Sequence, residues 1–160
     1  AMAPTKMMDR VEWMVEKATE IGCDEFSFLL CKFSERKQIR VDRVEKIVIA
    51  ATKQSRKAWK PQVNELESFE HFISTERKGR KFICHCYDEV ARVDFFDEIQ
   101  KADEEENITV LVGPEGDFSI DEVRMALDAG YQSVTLGNAR LRTETAALSA
   151  VMMMQLARRL

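Results

Sequence analysis

The sequence predicts an α/β fold: a mostly parallel sheet with helices on both faces. Two observations lead there. Strand-like and helix-like segments alternate along the 160 residues, the pattern left by βαβ crossovers. Twice, at Ile108–Val112 and at Ser133–Leu136, an apolar strand runs into a glycine and then into a loop that opens a helix. Such a junction leaves backbone N–H groups at the edge of a crevice, where a ligand can sit. The length suits one domain, which buries about two thirds of its unfolded surface.

Each element has its own reason. AMAPTK reads as the end of a strand. A helix capped by Asp9 runs to about Ile21, with Val11, Met14, Val15, Ala18 and Ile21 on one stripe and Gly22 as its stop. Phe26–Phe33 reads as a buried strand. A second helix, Asp42–Arg56, turns Val44, Ile47, Val48 and Ala51 inward. Residues 58–68 read as an irregular connection around Pro61, with a short helix from Ser68 to Ser74. Lys81–Tyr87 is a strand, and the acidic stretch 94–106 a surface helix or loop. Ser119 and Glu122 make a capping box for a helix that Gly130 ends.

The last helix, Thr143–Arg158, holds Ala146, Ala147, Leu148, Ala150, Val151, three methionines, Leu156 and Ala157, with almost no polar face. A helix apolar all round must be covered on both sides. The sheet covers one side, and a second copy of the chain is the simplest cover for the other, so a homodimer is expected.

Composition is that of an ordinary globular protein, 45% hydrophobic and 32% charged. No apolar run approaches the roughly 20 residues of a membrane span and no signal-peptide pattern is present, so no membrane partner and a cytoplasmic location are expected. Cys23, Cys31, Cys84 and Cys86 form no CxxC pair. Their spacing with His71 and His85 does not suit a metal, and buried thiols are the expected reading. Net charge is −4, but between Lys32 and Lys60 ten Lys/Arg face three acidic residues, whereas Asp88–Glu106 holds nine acidic residues against two basic. Either a basic binding face or solvated helix surfaces would give this asymmetry.

The two junctions are where chemistry is expected. In Gly113-Pro114-Glu115-Gly116 the glycines permit close ligand approach and the proline fixes a torsion. In the second loop Arg142 stands just before a helix N-terminus, where the macrodipole disfavours a cation. It therefore calls for a carboxylate partner, Glu115 or Glu144, or for an anionic substrate. No GxxxxGK[ST] or GxGxxG motif occurs, which argues against a P-loop hydrolase and a dinucleotide enzyme. No Ser-His or Cys-His pair suggests a covalent nucleophile.

LVGPEGDFSIDEV followed by VTLGNARLRTETAALSA resembles the signature of the RsmE family of SPOUT methyltransferases, and PTKMMDRVEWMVEKATEIG, the Ser34-Glu35-Arg36 triplet and AATKQSR match in the same order. Two departures stand out: Asp117 where the family usually has glycine, and Lys57 after Arg56 in a segment often richer in glycine. The resemblance implies a deep trefoil knot near the C-terminus, which no periodicity or spacing indicates. It also implies a homodimer, S-adenosyl-L-methionine as cofactor, and methylation of uracil N3 at one uridine of small-subunit (16S) ribosomal RNA. Val112, Gly113, Pro114, Gly116, Leu136, Gly137, Leu141, Arg142 and Thr145 would line the cofactor pocket. Arg142 and Glu115 would form the catalytic pair, and Arg36, Gln54 and Arg56 would face RNA. Family members usually carry an N-terminal PUA-like RNA-binding barrel, so residues 1–160 are expected to be an isolated SPOUT domain. Alternatives are a non-catalytic RNA-binding or ribosome-assembly module of the same fold, and a SPOUT enzyme acting on tRNA. Arg142 could hold Glu115 to shape the first loop or stabilise a uracil anion; the loop role with a catalytic contribution is the expected one.

Overall fold

The computed structural model describes residues 1–159. Along the chain lie α1 (Met8–Ile21), β1 (Glu25–Leu30), α2 (Val41–Gln54), β2 (Gln62–Ser68), α3 (Phe69–Ser74), β3 (Arg80–Cys84), β4 (Val93–Asp94), α4 (Phe95–Ile99), β5 (Ile108–Val112), α5 (Ile120–Asp128), β6 (Gln132–Thr135) and α6 (Thr143–Ala157). The paired strands are all parallel, in the order β4-β6-β3-β5 and, separately, β1-β2.

Residues 1–3 join the two sets. Ala3 N–H donates to the Val112 carbonyl (3.0 Å) and Val112 N–H to that of Ala1 (3.0 Å). On the other side Met2 N–H donates to the Ser27 carbonyl and Leu29 N–H to that of Met2, both at 2.9 Å. AMAPTK is thus the strand end expected, and it makes the sheet continuous from β4 to β2.

Successive side chains of a strand point to opposite faces, so each strand serves two cores. Phe82, Val110, Val112 and Val134 pack with α1, α2, α4 and α6, while Ile83 and Leu111 pack with α3 and α5. Phe82 meets Phe95 edge to face, ring centroids 5.2 Å apart. Helices therefore cover both faces, as the βα alternation implied. Among the described residues, no helix is long and apolar enough to cross a membrane.

Several local expectations change. Asp9 does not cap α1: Met7 holds the cap position without a side-chain bond, and Asp9 sits in the first turn, where its charge still suits the dipole. Residues 62–68 are strand β2 rather than an irregular connection. QVNELES lacks an apolar run because β2 is an edge strand, fixed by its backbone pairing with β1 more than by burial. The strand expected to reach Tyr87 stops at Cys84. The acidic stretch 94–106 is the expected helix, α4, followed by a loop, but it is not all surface: Glu98 is buried against Arg80, whose Nη2 lies 2.9 Å from Oε2. The Ser119–Glu122 capping box is present in both directions. Helix α6 buries Thr143, Glu144, Ala147, Ala150 and Val151 but leaves Met152 and Leu156, one turn apart, 42% and 41% exposed.

Helix α2 ends in a Schellman-type turn: Lys57 N–H donates to the Thr52 carbonyl (3.1 Å) and Arg56 N–H to that of Lys53 (3.2 Å). The turn needs a left-handed residue, and Arg56 takes it with φ 53°. Side chains pay for that conformation and glycine does not. Arg56→Gly should accordingly raise unfolding stability by about 0.5–1 kcal/mol once the extra unfolded-state entropy of glycine is subtracted. Urea denaturation monitored by circular dichroism measures it, and a loss of stability would contradict the strained-turn assignment.

Candidate active site

The C-terminal ends of β3, β5 and β6 open onto a cavity of about 1040 Å³. Loop 113–118 after β5, loop 136–142 after β6 and loop 85–92 after β3 supply its walls, with Lys6, Met7 and Arg10 from the start of α1. This is the crevice that parallel strands create where their connections diverge.

The first two loops touch. Thr143, the first residue of α6, donates its hydroxyl to the Gly113 carbonyl at 2.9 Å, in a buried setting. Gly113 is required by crowding within its own loop: a Cβ there would lie 2.9 Å from the Phe118 backbone nitrogen. Gly137 is required by torsion, with φ +129°, while a Cβ at this position would meet no atom within 4 Å. Its backbone therefore faces open cavity. The backbone N–H groups of residues 138–142 make no hydrogen bond among the described residues.

Two acidic side chains tether the first loop on either flank. Glu115 Oε1 accepts from Lys6 N–H at 2.7 Å. Arg36 fixes that same segment from the other side, Nε donating to the Thr5 carbonyl (3.0 Å) and Nη2 to the Lys6 carbonyl (2.7 Å). Asp117 Oδ2 accepts from Cys86 N–H at 2.9 Å, and Oδ1 from Phe118 N–H at 2.7 Å. Asp117 has φ 70°, which explains why glycine would fit here. Aspartate tolerates the left-handed region better than most side chains because its short carboxylate bonds locally.

Behind the third loop, His85 is buried, and Tyr87 N–H donates to its Nδ1 at 3.1 Å. The proton must then lie on Nε2, 2.9 Å from Ser133 Oγ. Burial holds the imidazole below the usual histidine pKa, favouring this neutral form. Tyr87 hydroxyl donates to the Phe118 carbonyl at 2.6 Å. Burial also pushes the Cys84 thiol up to about 12, so it stays protonated. Cys86, expected to be buried, is exposed, because the strand ends before it. Among the described residues, no group of three or more His, Cys, Asp or Glu could hold a metal.

The expected pocket residues Val112, Gly113, Pro114, Leu136, Gly137, Leu141 and Arg142 all line the cavity, as does Glu115, expected as the catalytic partner of Arg142. Gly116 and Thr145 lie outside its lining, and Gly116 faces Phe33 instead, 3.4 Å from a Cβ position to Phe33 Cβ. Neither carboxylate expected for Arg142 is its partner. Glu144 pairs with Arg10 at 3.0 Å and Glu115 is bound to Lys6 N–H, so Arg142 stands exposed at the cap position of α6. The three residues expected to face RNA do not come together. Arg36 is at the cavity's rim, engaged with backbone carbonyls, whereas Gln54 and Arg56 lie near the start of β2, which pairs with the N-terminal end of β1 at the opposite edge of the sheet. Sequence reading missed Lys6, Arg10 and the wall formed by Cys86, Asp88, Val90, Ala91 and Arg92. The one available signal was a third strand, β3, running into polar residues next to the first two.

This architecture has close counterparts. A family model for the RNA methyltransferase domain matches residues 1–155. The probable rRNA-methyltransferase of Porphyromonas gingivalis superposes with a TM-score of 0.90 at 39% identity, over 98% of this chain and 66% of that one. Ribosomal RNA small subunit methyltransferase E from Neisseria gonorrhoeae, solved bound to S-adenosyl methionine, gives a TM-score of 0.82 at 26% identity, over 97% and 63%. The enzyme of the same name from Rickettsia conorii is 26% identical over 149 residues, 92% of this chain and 60% of the relative. The chain thus spans about half to three fifths of the length of the curated relatives it matches. With its parallel α/β sheet and paired glycine loops, it belongs to the RNA methyltransferase domain family, in the RsmE family of SPOUT methyltransferases.

Proposed function

We propose that the chain binds S-adenosyl-L-methionine in this cavity and methylates N3 of a uridine in small-subunit ribosomal RNA. One observation supports it above others: two glycine loops, tied by Thr143 to Gly113, frame a cavity with bare backbone on one wall. The residues fit the cofactor. Val112, Leu136, Leu141 and Ala146 give apolar surface, Gly137 leaves room at the backbone, and the unpaired N–H groups of 138–142 suit its polar edges. Gly116 and Thr145 would act from behind the lining. The deep trefoil knot that the resemblance implies near the C-terminus belongs to the same proposal.

When bound, the cofactor supplies a methyl group already activated on a sulfonium, so the protein's task is placement and charge control. Arg142 lines the cavity with both nearby carboxylates engaged elsewhere. A cation at a helix N-terminus is unfavourable unless an anion completes the site. Its guanidinium suits the carbonyl oxygens of a uracil losing its N3 proton, stabilising that charge as the reaction proceeds. Glu115 would serve by holding the first loop against Lys6. The target base must leave its stack to enter the cavity. The uncovered Met152 and Leu156 of α6 support a homodimer through that face.

Calorimetric titration with S-adenosyl-L-methionine, followed by mass spectrometry of 16S ribosomal RNA for N3-methyluridine, tests the reading directly; no cofactor binding and no methylation would refute it. In the same titration Gly113→Ala should weaken binding at least about tenfold, because its Cβ meets backbone at 2.9 Å, while Gly116→Ala should change little. Equal effects would displace the first loop from the pocket.

Arg142→Lys keeps the charge but loses the planar fork. Cofactor affinity should survive and single-turnover methyl transfer should slow about tenfold or more, a loss confined to the transition state. A fully active lysine variant would remove Arg142 from the chemistry. Met152→Glu should convert a sedimenting dimer to monomer, and a wild-type chain that sediments as a monomer would eliminate the proposed interface.

A further inference from the structure

Away from the cavity, the end of α2 carries a surface that the proposed reaction does not use. Residues 46–64 contain Lys46, Lys53, Arg56, Lys57 and Lys60 and no acidic residue. Lys60 pairs with Glu45, and the other ion pairs nearby are Arg40–Asp42 and Arg43–Glu12, so Lys53, Arg56 and Lys57 lack a carboxylate among the described residues. Amid these cations Trp59 is 85% exposed, more than any other large hydrophobic side chain described. An indole normally adds its large apolar area to a core or an interface. Here the backbone holds it out: the left-handed turn at Arg56 redirects the chain after α2, and buried Pro61 anchors it before β2.

We propose that residues 53–60 form a contact for single-stranded RNA, in which Trp59 stacks on a base while Lys53, Arg56 and Lys57 hold flanking phosphates. The proposal rests on the ribosomal RNA reading above. Single-stranded nucleic acid is bound by this combination: stacking tolerates any base because each has a π-face, and the phosphates supply the opposite charge. A second copy of the chain would bring like charges together here, which opposes self-association. Because β2 starts at Gln62 beside Glu25, the tract lies at the sheet edge opposite the cavity. A strand of five or six residues spans about 17–20 Å, so within one subunit the stacked base is not the methylated one but a neighbour several nucleotides away.

The chain has two tryptophans, Trp13 and Trp59. In a Trp13→Phe background, emission therefore reports Trp59 alone. Titration with a short single-stranded oligouridylate at low salt should quench it. Trp59→Ala should weaken RNA binding, followed by the anisotropy of labelled RNA, about tenfold, and Trp59→Phe should recover most of the loss. Lys57→Ala should lower the slope of affinity against salt by about one phosphate contact. RNA binding with unquenched emission, or wild-type affinity in the alanine variant, would overturn the stacking contact while leaving the methyltransferase reading in place. Equal quenching by a duplex of the same length would overturn the single-strand assignment. No RNA binding in any form would overturn both readings, and cofactor titration of the same protein reports on the cavity separately.

Discussion

Three residues at the start of the chain, Ala1 to Ala3, determine how the two halves of the sheet meet. Their backbone groups bond to β5 on one side and β1 on the other, so the C-terminal ends of those strands emerge next to each other. That adjacency places the segment after β1 against the loop after β5. It lets Phe33 lie on Gly116, Arg36 reach the carbonyls of Thr5 and Lys6, and Lys6 N–H reach Glu115. None of these contacts involves residues near in sequence. All follow from parallel pairing, which delivers strand ends of one sense to one edge.

Much of the fold was legible because its signals are local. The apolar runs of β3 and β5, the stripe on α1 and the Ser119–Glu122 box each depend on spacing within one segment. β2 was missed because an edge strand is specified by its neighbour's backbone, which leaves little trace in side-chain pattern. The site divides in the same way. Gly113 and Gly137 stood out since loops that approach ligands or adopt positive φ demand glycine. Arg36, read as an RNA contact, instead has its guanidinium occupied by two carbonyls. That occupation depends on where residues 5 and 6 lie in space, and no single segment encodes it.

Asp117 and Arg56 show what a side chain costs where the backbone is left-handed. They are the non-glycine residues with positive φ among those described, and both stand in segments where the resemblance leads one to expect glycine. Aspartate gains something in return, since its carboxylate reaches Cys86 N–H and ties the third loop to the first. Arg56 has no comparable bond of its own, and its side chain remains in solvent beside Lys57. The same backbone cost is offset in one case by a tether and in the other leaves a surface cation in place.

The two-sided tethering of the first loop has a kinetic meaning as well. Glu115 and Asp117 stand two residues apart, and each binds a backbone N–H of a different wall, Lys6 on one side and Cys86 on the other. Neither wall can swing outward without breaking a charge-assisted hydrogen bond, the stronger kind. The mouth therefore behaves as a latched rim rather than a pair of independent flaps, and neither wall parts from the first loop faster than its own latch releases.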